Sequence, residues 1–157
     1  MSGLETVPTE DGYINWIRQI MGVDSSIIAD TSPYINWSYE ISYEIVNVLL
    51  DYASPILYTQ AVYNLAGDYL VNLAQDDPTL SPPNNTYWKD LRQTFGSNSF
   101  IPGLINAAND EDTSAASMIP LNLQNITLAD LQNLKTPWGR TYLSIAQSVG
   151  SMWGLTL

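Results

Sequence analysis

Apolar side chains recur at helical spacing in four segments of the chain. In each segment they stand three or four positions apart, which is the period of one helix face. These patterns predict helices at about residues 9–22, 33–52, 55–75 and 137–149. In each of the last three, a proline follows a serine or threonine that can cap the helix. The chain is therefore predicted to be all-α, a single domain over residues 1–157 with four main helices in a bundle.

The second and third helices are predicted to pack together. The apolar stripe of the second is expected to face the core, although its residues are also typical of strands: Tyr34, Trp37, Ile41, Ile45, Val48 and Tyr52. In the third helix the small residues Ala61, Ala66 and Gly67 would let a neighbouring helix approach closely. Because only a short break separates the two helices, an antiparallel hairpin is expected.

The chain between the third and last helices is mostly irregular. Residues 76–86 are rich in turn-forming Asp, Pro and Asn, and residues 86–95 could form a short helix that ends at Gly96. Residues 97–125 have no sustained period, so they form a long insertion before the last helix. Since long loops in compact domains are usually functional, we expect this one to contact a partner or neighbour.

Charge and missing residue types exclude much chemistry. The 16 acidic and 5 basic side chains give a net charge of −11, which disfavours a surface that grips nucleic acid or anionic lipid. With no histidine and no cysteine, the chain has no Ser-His-Asp or Cys-His nucleophile, no Cys/His zinc site and no disulfide. The acidic run at 109–112 lacks the spacing of an EF-hand loop. We expect no metal and no cofactor.

Targeting signals are also missing from the sequence. The N-terminus is polar and acidic where a signal peptide would be basic and then apolar. The strongly apolar run that begins at Ile45 is cut by Asp51, long before it could span a bilayer. A soluble protein with no membrane partner, made and used in a cytoplasm, is the expectation.

Three carboxylates could support an enzyme. Glu40 and Glu44 lie one helical turn apart, and Asp68 stands within the third helix. A small carboxylate-dependent hydrolase, such as a glycosidase, would use one of them as its acid. Because all three are predicted on helix faces and none is paired across a cleft, we expect a solvated face at Glu40 and Glu44.

The last helix and the residues after it form the most distinctive stretch. Thr136 is a predicted cap, and Trp138 and Tyr142 are expected to face the bundle. Gly139 would then provide clearance for a closely packed neighbour. Beyond this helix, residues 151–157 carry no charged side chain and include Met152, Trp153, Leu155 and Leu157. An extended apolar tail of this kind is expected to contact a partner.

The order of these features resembles the small head-tail connector, or adaptor, proteins of tailed double-stranded DNA bacteriophages. The resemblance covers roughly residues 10–150: a helical hairpin with small residues, a long irregular insertion, and TPWGRTYLSIAQ at 136–147 followed by a short tail. In that family a segment of the type Thr-Pro-aromatic-Gly-x-x-Tyr-x-x-Leu commonly begins the last helix. This sequence agrees through Tyr142 and has Ile145 at the leucine position. The Asn- and Pro-rich segment 76–86 departs from the family pattern.

The resemblance implies a non-enzymatic virion protein of the neck, assembled in the host cytoplasm. Such proteins form a ring, usually dodecameric, beneath the portal, and DNA passes through it without sequence-specific binding. The tail residues Met152, Trp153, Leu155 and Leu157 would then contact the portal protein, and the insertion would face tail or neck proteins or the next copy. A tail-terminator or other neck protein that contacts only the tail side remains an alternative.

Overall fold

A computed structural model describes residues 4–96 and 135–149, together with the backbone of two two-residue strands. Its helices are α1 Glu10–Trp16, α2 Pro33–Ile45, α3 Leu49–Ala53, α4 Pro55–Leu73, α5 Tyr87–Thr94 and α6 Pro137–Ser148, with a π-helical segment at Ile17–Met21 and a 3₁₀ turn at Asn84–Thr86. The strands β1 Asn109–Asp110 and β2 Thr113–Ser114 pair antiparallel. The predicted all-α class is confirmed, because helices α2, α4 and α6 pack together as the body of the domain. Most of the insertion 97–125 and all of the tail 151–157 lie outside the described residues.

Helix α4 is the centre of the fold. It begins behind Ser54, whose hydroxyl accepts the backbone N–H of Leu57, and it is buried on almost every side from Tyr58 to Val71. Both α2 and α6 pack on it, so one long helix organises the core.

Aromatic contacts set the direction of α2. Tyr43 of α2 meets Tyr58 of α4 with ring centroids 6.5 Å apart, whereas Tyr39 and Tyr63 both contact Tyr13 of α1. Residue numbers therefore rise along α2 as they fall along α4, and the predicted antiparallel arrangement is confirmed.

A glycine on α4 lets α1 approach closely. A Cβ built at Gly67 would lie 2.8 Å from the Trp16 ring, closer than carbon atoms approach without a clash. Helix α1 itself begins at Thr9, whose side chain accepts the N–H of Gly12, and its π-helical continuation stops at Gly22 with φ of +71°. The role predicted for the small residue at 67 is thus confirmed, with α1 as the neighbour.

The prediction of one helix over residues 33–52 is wrong. Helix α2 stops at Ile45, because Val46 has an extended backbone and turns its side chain inward, to 3% exposure. Asn47 then accepts the N–H of Leu49 at 2.9 Å, a local bond with which Asn side chains start a new turn. Helix α3 begins there and leads directly into α4.

The buried face of α2 also differs from the prediction. The face against α1 and α4 consists of Ile35, Ser38, Tyr39 and Ser42. Of the predicted core stripe, Tyr34 packs against the core, whereas the other residues are exposed: Trp37, Ile41, Ile45, Val48 and Tyr52. The serines satisfy their own hydroxyls, since Ser42 Oγ donates to the Ser38 carbonyl at 2.8 Å and Ser38 Oγ donates to the Ile35 carbonyl at 3.0 Å. Small satisfied side chains let α2 lie close to its neighbours, and this packing overrides the hydrophobicity pattern.

Two polar side chains attach α5 to the end of α4. The guanidinium of Arg92 donates to the carbonyls of Val71 and Ala74, at 3.0 and 2.6 Å. The carboxylate of Asp76 accepts the N–H groups of Trp88 and Lys89 at 2.7 and 3.0 Å, at the N-terminus of α5. These bonds hold the short helix that the sequence predicted near 86–95. Within the described part of the chain, no helix combines the length and the apolar character needed to cross a membrane.

Candidate assembly surfaces

The start of α6 is locked onto α4 by one hydroxyl. Thr136 is fully buried; its Oγ1 accepts the N–H of Gly139 at 3.0 Å and donates to Asp68 Oδ1 in a short hydrogen bond. The same atom therefore caps α6 and joins it to the central helix. We call this pair of bonds the Thr136–Asp68 clamp.

The carboxyl group of Asp68 is only 1% exposed. Burial raises its pKa to about 6, and the hydrogen bond from Thr136 opposes that rise. The clamp thus places an ionisable group at the junction of two helices, where its charge is costly and Thr136 is its hydrogen-bond donor.

Side chains that come after the cap anchor α6 further. Trp138 is half-buried and meets Phe95 edge to face, with centroids 5.7 Å apart. Gly139 and Tyr142 are buried. Tyr142 belongs to the hydrophobic core, and Trp138 packs against it.

Helix α6 packs along α4. Thr136 lies against Asp68, and Thr141 lines one groove together with Gln60 of α4. The proposed portal-contact residues Met152, Trp153, Leu155 and Leu157 lie outside the described residues.

An apolar surface covers the outer side of α2 and α3. Its large side chains are between 39% and 84% exposed and form the outer stripe: Trp37, Ile41, Ile45, Val48, Leu49 and Tyr52. Together they present on the order of 600 Å² of exposed side chain, the upper end of what soluble monomers leave uncovered. The stripe is thus a candidate interaction surface.

A groove lies between α1 and α6, above α4. It encloses about 650 Å³. Leu4 and Ile20, 68% and 63% exposed, stand at its edge beside the half-buried Trp138. Side-chain amides line much of the remainder: Asn15, Gln19, Gln60 and Asn64. We call this cavity the α1–α6 groove.

The N-terminal segment closes one side of the groove. Tyr63 of α4 donates its hydroxyl to Glu5 Oε2 at 2.5 Å and accepts the N–H of Thr9 at 3.1 Å. Burial is the main cause of the raised pKa of this tyrosine, and the hydrogen bond to Glu5 adds to it. Residues 5–9 are therefore attached to the central helix by a protonated hydroxyl group.

The candidate catalytic carboxylates do not meet. Glu40 and Glu44 are exposed on the outer side of α2, as expected for a solvated face, whereas Asp68 is buried beneath α6. Among the residues with described side chains, no group of three or more acidic residues could hold a metal ion. The acidic run at 109–112 lies outside the residues whose side chains are described.

Sequence reasoning missed two features of these surfaces. The bond between Thr136 and Asp68 joins residues 68 positions apart; its signal was an aspartate inside a helix that is otherwise nearly free of charge. The outward direction of the α2 stripe had no signal in the period, because both faces of that helix carry large apolar or aromatic side chains.

No family model, no curated protein and no solved structure matches this chain.

Proposed function

We propose that this chain is a virion structural protein, a head-tail connector that forms a ring between the portal and the tail of a double-stranded DNA bacteriophage. The observation that carries the proposal is the segment from Thr136 to Tyr142. It has the residues typical of the last helix in that protein family, and here it begins a helix that is clamped to the core. In this role the protein binds other virion proteins through non-covalent contacts and catalyses no reaction.

The clamp supports this role because it makes α6 a fixed support for the residues beyond it. Residues that bind a partner are positioned more precisely when they are carried by a well-packed element, and the buried Thr136–Asp68 pair together with Tyr142 joins α6 to the core. Residues 151–157 come directly after this helix, with Trp153 and Leu155 as the strongest candidates for anchors in the portal.

The charge of the chain supports a channel through which DNA slides. With a net charge of −11 per copy, a ring of copies carries a strongly negative potential. A negative channel wall repels phosphates, so DNA passes through without being retained.

Light scattering on the purified chain, alone and mixed with the portal protein encoded nearest to its gene, tests the proposal. A connector joins the portal complex in several copies. A chain that stays at 17.4 kDa and leaves the portal unaltered would refute this function. A chain that forms rings but ignores the portal would instead fit a tail-terminator or other protein on the tail side.

Truncation after residue 150 tests the role of the tail. The truncated chain should keep its helical circular dichroism and lose portal binding. A matched control keeps the tail length and replaces only the polar Ser151 and Thr156 by alanine, and this control should still bind. Binding that survives the truncation would exclude the tail as the portal contact.

A hydrolase would behave differently in a third test. Exchange of Glu40 and Glu44 for glutamine should leave the helical fold unchanged, because both side chains are exposed on α2. If the chain hydrolysed cell-wall glycan and lost that turnover in this double variant, the structural role would be the wrong proposal.

A further inference from the structure

We infer that the outer stripe of one copy docks in the α1–α6 groove of the next copy. This inference rests on the proposed function, and it names the two surfaces through which the ring would close. The stripe is carried by α2, α3 and Val48 just before α3, whereas α1 with its π-helical continuation, α4 and α6 supply the groove together with residues 4 and 5. Since the two surfaces share no residue, each copy can use both at once.

The stripe has the size and composition of an interface. A standard protein–protein interface buries about 800 Å² on each partner, and the stripe alone exposes on the order of 600 Å². Its residues are held in place, because Ile35 and Tyr39 on the opposite face of α2 are buried in the core. Trp37, 53% exposed, is the residue type most enriched at the energetic centre of interfaces.

The groove has the apolar lining and the volume needed to bind large apolar side chains such as those of the stripe. Its rim is apolar at Leu4 and Ile20, and Trp138 gives it an aromatic wall. A cavity of about 650 Å³ has room for an indole side chain with its neighbours. Deeper in the groove, amides such as Gln60 and Asn64 can accept a hydrogen bond from an indole N–H.

Opposite charges lie at the outer edges of the two surfaces, while the carboxylate of Glu5, which also lines the groove, accepts the hydroxyl of Tyr63. Glu40 and Glu44 are exposed beside the stripe, one turn apart on α2. Arg140 is exposed within one turn of Pro137 and Thr141, which line the groove. In a chain with only 5 basic residues, a cation at this edge favours an acidic neighbour and fixes the orientation of docking.

A contact between two different surfaces is the kind from which a ring can be built. A patch that binds a different patch on an identical copy makes a head-to-tail contact, and repetition of that contact closes into a ring when the rotation fits. A stripe-to-stripe contact would instead stop at a dimer. The arrangement of one stripe and one separate groove therefore matches a ring.

Disulfide trapping tests the contact directly, because the natural chain has no cysteine and gives no background. Single cysteines are placed on the stripe (Ile41→Cys or Ile45→Cys) and in the groove (Ile20→Cys or Thr141→Cys). Stripe and groove variants are mixed, oxidised and separated on non-reducing gels. We expect cross-linked dimers in at least one of the four mixtures, at ten times or more the yield obtained with the exposed control Ser81→Cys.

Two further outcomes decide the geometry. A chain carrying both a stripe and a groove cysteine should give a ladder of oligomers. Cross-linking of Ile41→Cys with itself alone would show a stripe-to-stripe dimer and would overturn the inference, as would a control-level yield in all four mixtures. Neither result depends on the portal, so portal binding would still decide the proposed function separately.

Charge exchange adds an independent test. Glu44→Arg or Arg140→Glu alone should reduce the cross-linking yield several-fold, and the two variants mixed with each other should restore it when each carries the cysteine of its own surface. Restoration requires that the two residues meet across the contact. A yield that does not respond to either exchange would contradict the proposed orientation.

Discussion

The Thr136–Asp68 clamp predicts a specific dependence of stability on pH. In the folded chain the pKa of Asp68 lies at about 6, above its ordinary value of 3.8, because the carboxyl group is buried. The folded state therefore holds the proton more tightly than the unfolded state does. Ionisation of Asp68 destabilises the fold, and its cost is absent below about pH 4, grows between pH 4 and 6, and is constant above that range.

The size of this effect is set by the shift in pKa. A rise from 3.8 to about 6 corresponds to an ionisation cost of about 3 kcal/mol at neutral pH. Between pH 4 and pH 7.5 the part that changes amounts to about 2 kcal/mol. In Asp68→Asn this part disappears, while the amide oxygen can still accept the hydroxyl of Thr136.

This pH-dependent part of the stability can be measured by urea denaturation. The natural chain and Asp68→Asn are compared at intervals from pH 4 to 7.5. The free energy of unfolding of the variant minus that of the natural chain should rise by about 2 kcal/mol across this range. The comparison removes the effect of the other carboxylates, which titrate in both proteins. A difference that stays constant with pH would refute a buried Asp68 with a raised pKa.

Threonine 136 supplies the matched variants. Thr136→Val removes the helix cap and the donor to a buried carboxylate together, which should cost about 2–4 kcal/mol at pH 7.5. Thr136→Ser keeps the hydroxyl and should recover most of that loss. Thr141→Val, at an exposed threonine of the same helix, should change stability by less than about 0.5 kcal/mol.

Three further variants test how the bundle is held together, each by urea denaturation. Gly67→Ala should destabilise by about 1–3 kcal/mol, because its Cβ would press on the Trp16 ring; an unchanged stability would mean that the ring can move aside. Asp76→Ala should cost about 1–2 kcal/mol by uncapping α5, and full stability would exclude the cap. Tyr63→Phe should cost about 1–2 kcal/mol and speed amide exchange of Thr9, whose N–H it accepts; unchanged exchange would contradict that bond.

Local signals in the sequence were sufficient to locate the starts of three helices. Proline behind a serine or threonine located the start of α2, α4 and α6 within a residue, since capping is decided by neighbours in the chain. In two of these helices, α4 and α6, the capping hydroxyl makes the expected bond. Gly67 was also predictable as a contact residue, because a small side chain within an apolar helix has few other uses.

The surfaces depended on tertiary packing and could not be predicted in the same way. Helix α2 has two faces that could each be buried. The buried face is the one that carries Ser38 and Tyr39, because these two side chains contact Tyr13. At the end of α2, Val46 has an extended backbone and a buried side chain, a break that the helical period of the sequence did not indicate. The bond between Thr136 and Asp68 likewise exists only once α6 lies on α4.

Native mass spectrometry of the chain at increasing concentration, alone and with the portal ring, tests the proposed connector most directly. The proposal predicts that the free 17.4 kDa chain is replaced by portal complexes heavier by several multiples of that mass, with one full ring of copies at saturation. A chain that remains at 17.4 kDa throughout, beside a portal of unchanged mass, would contradict it.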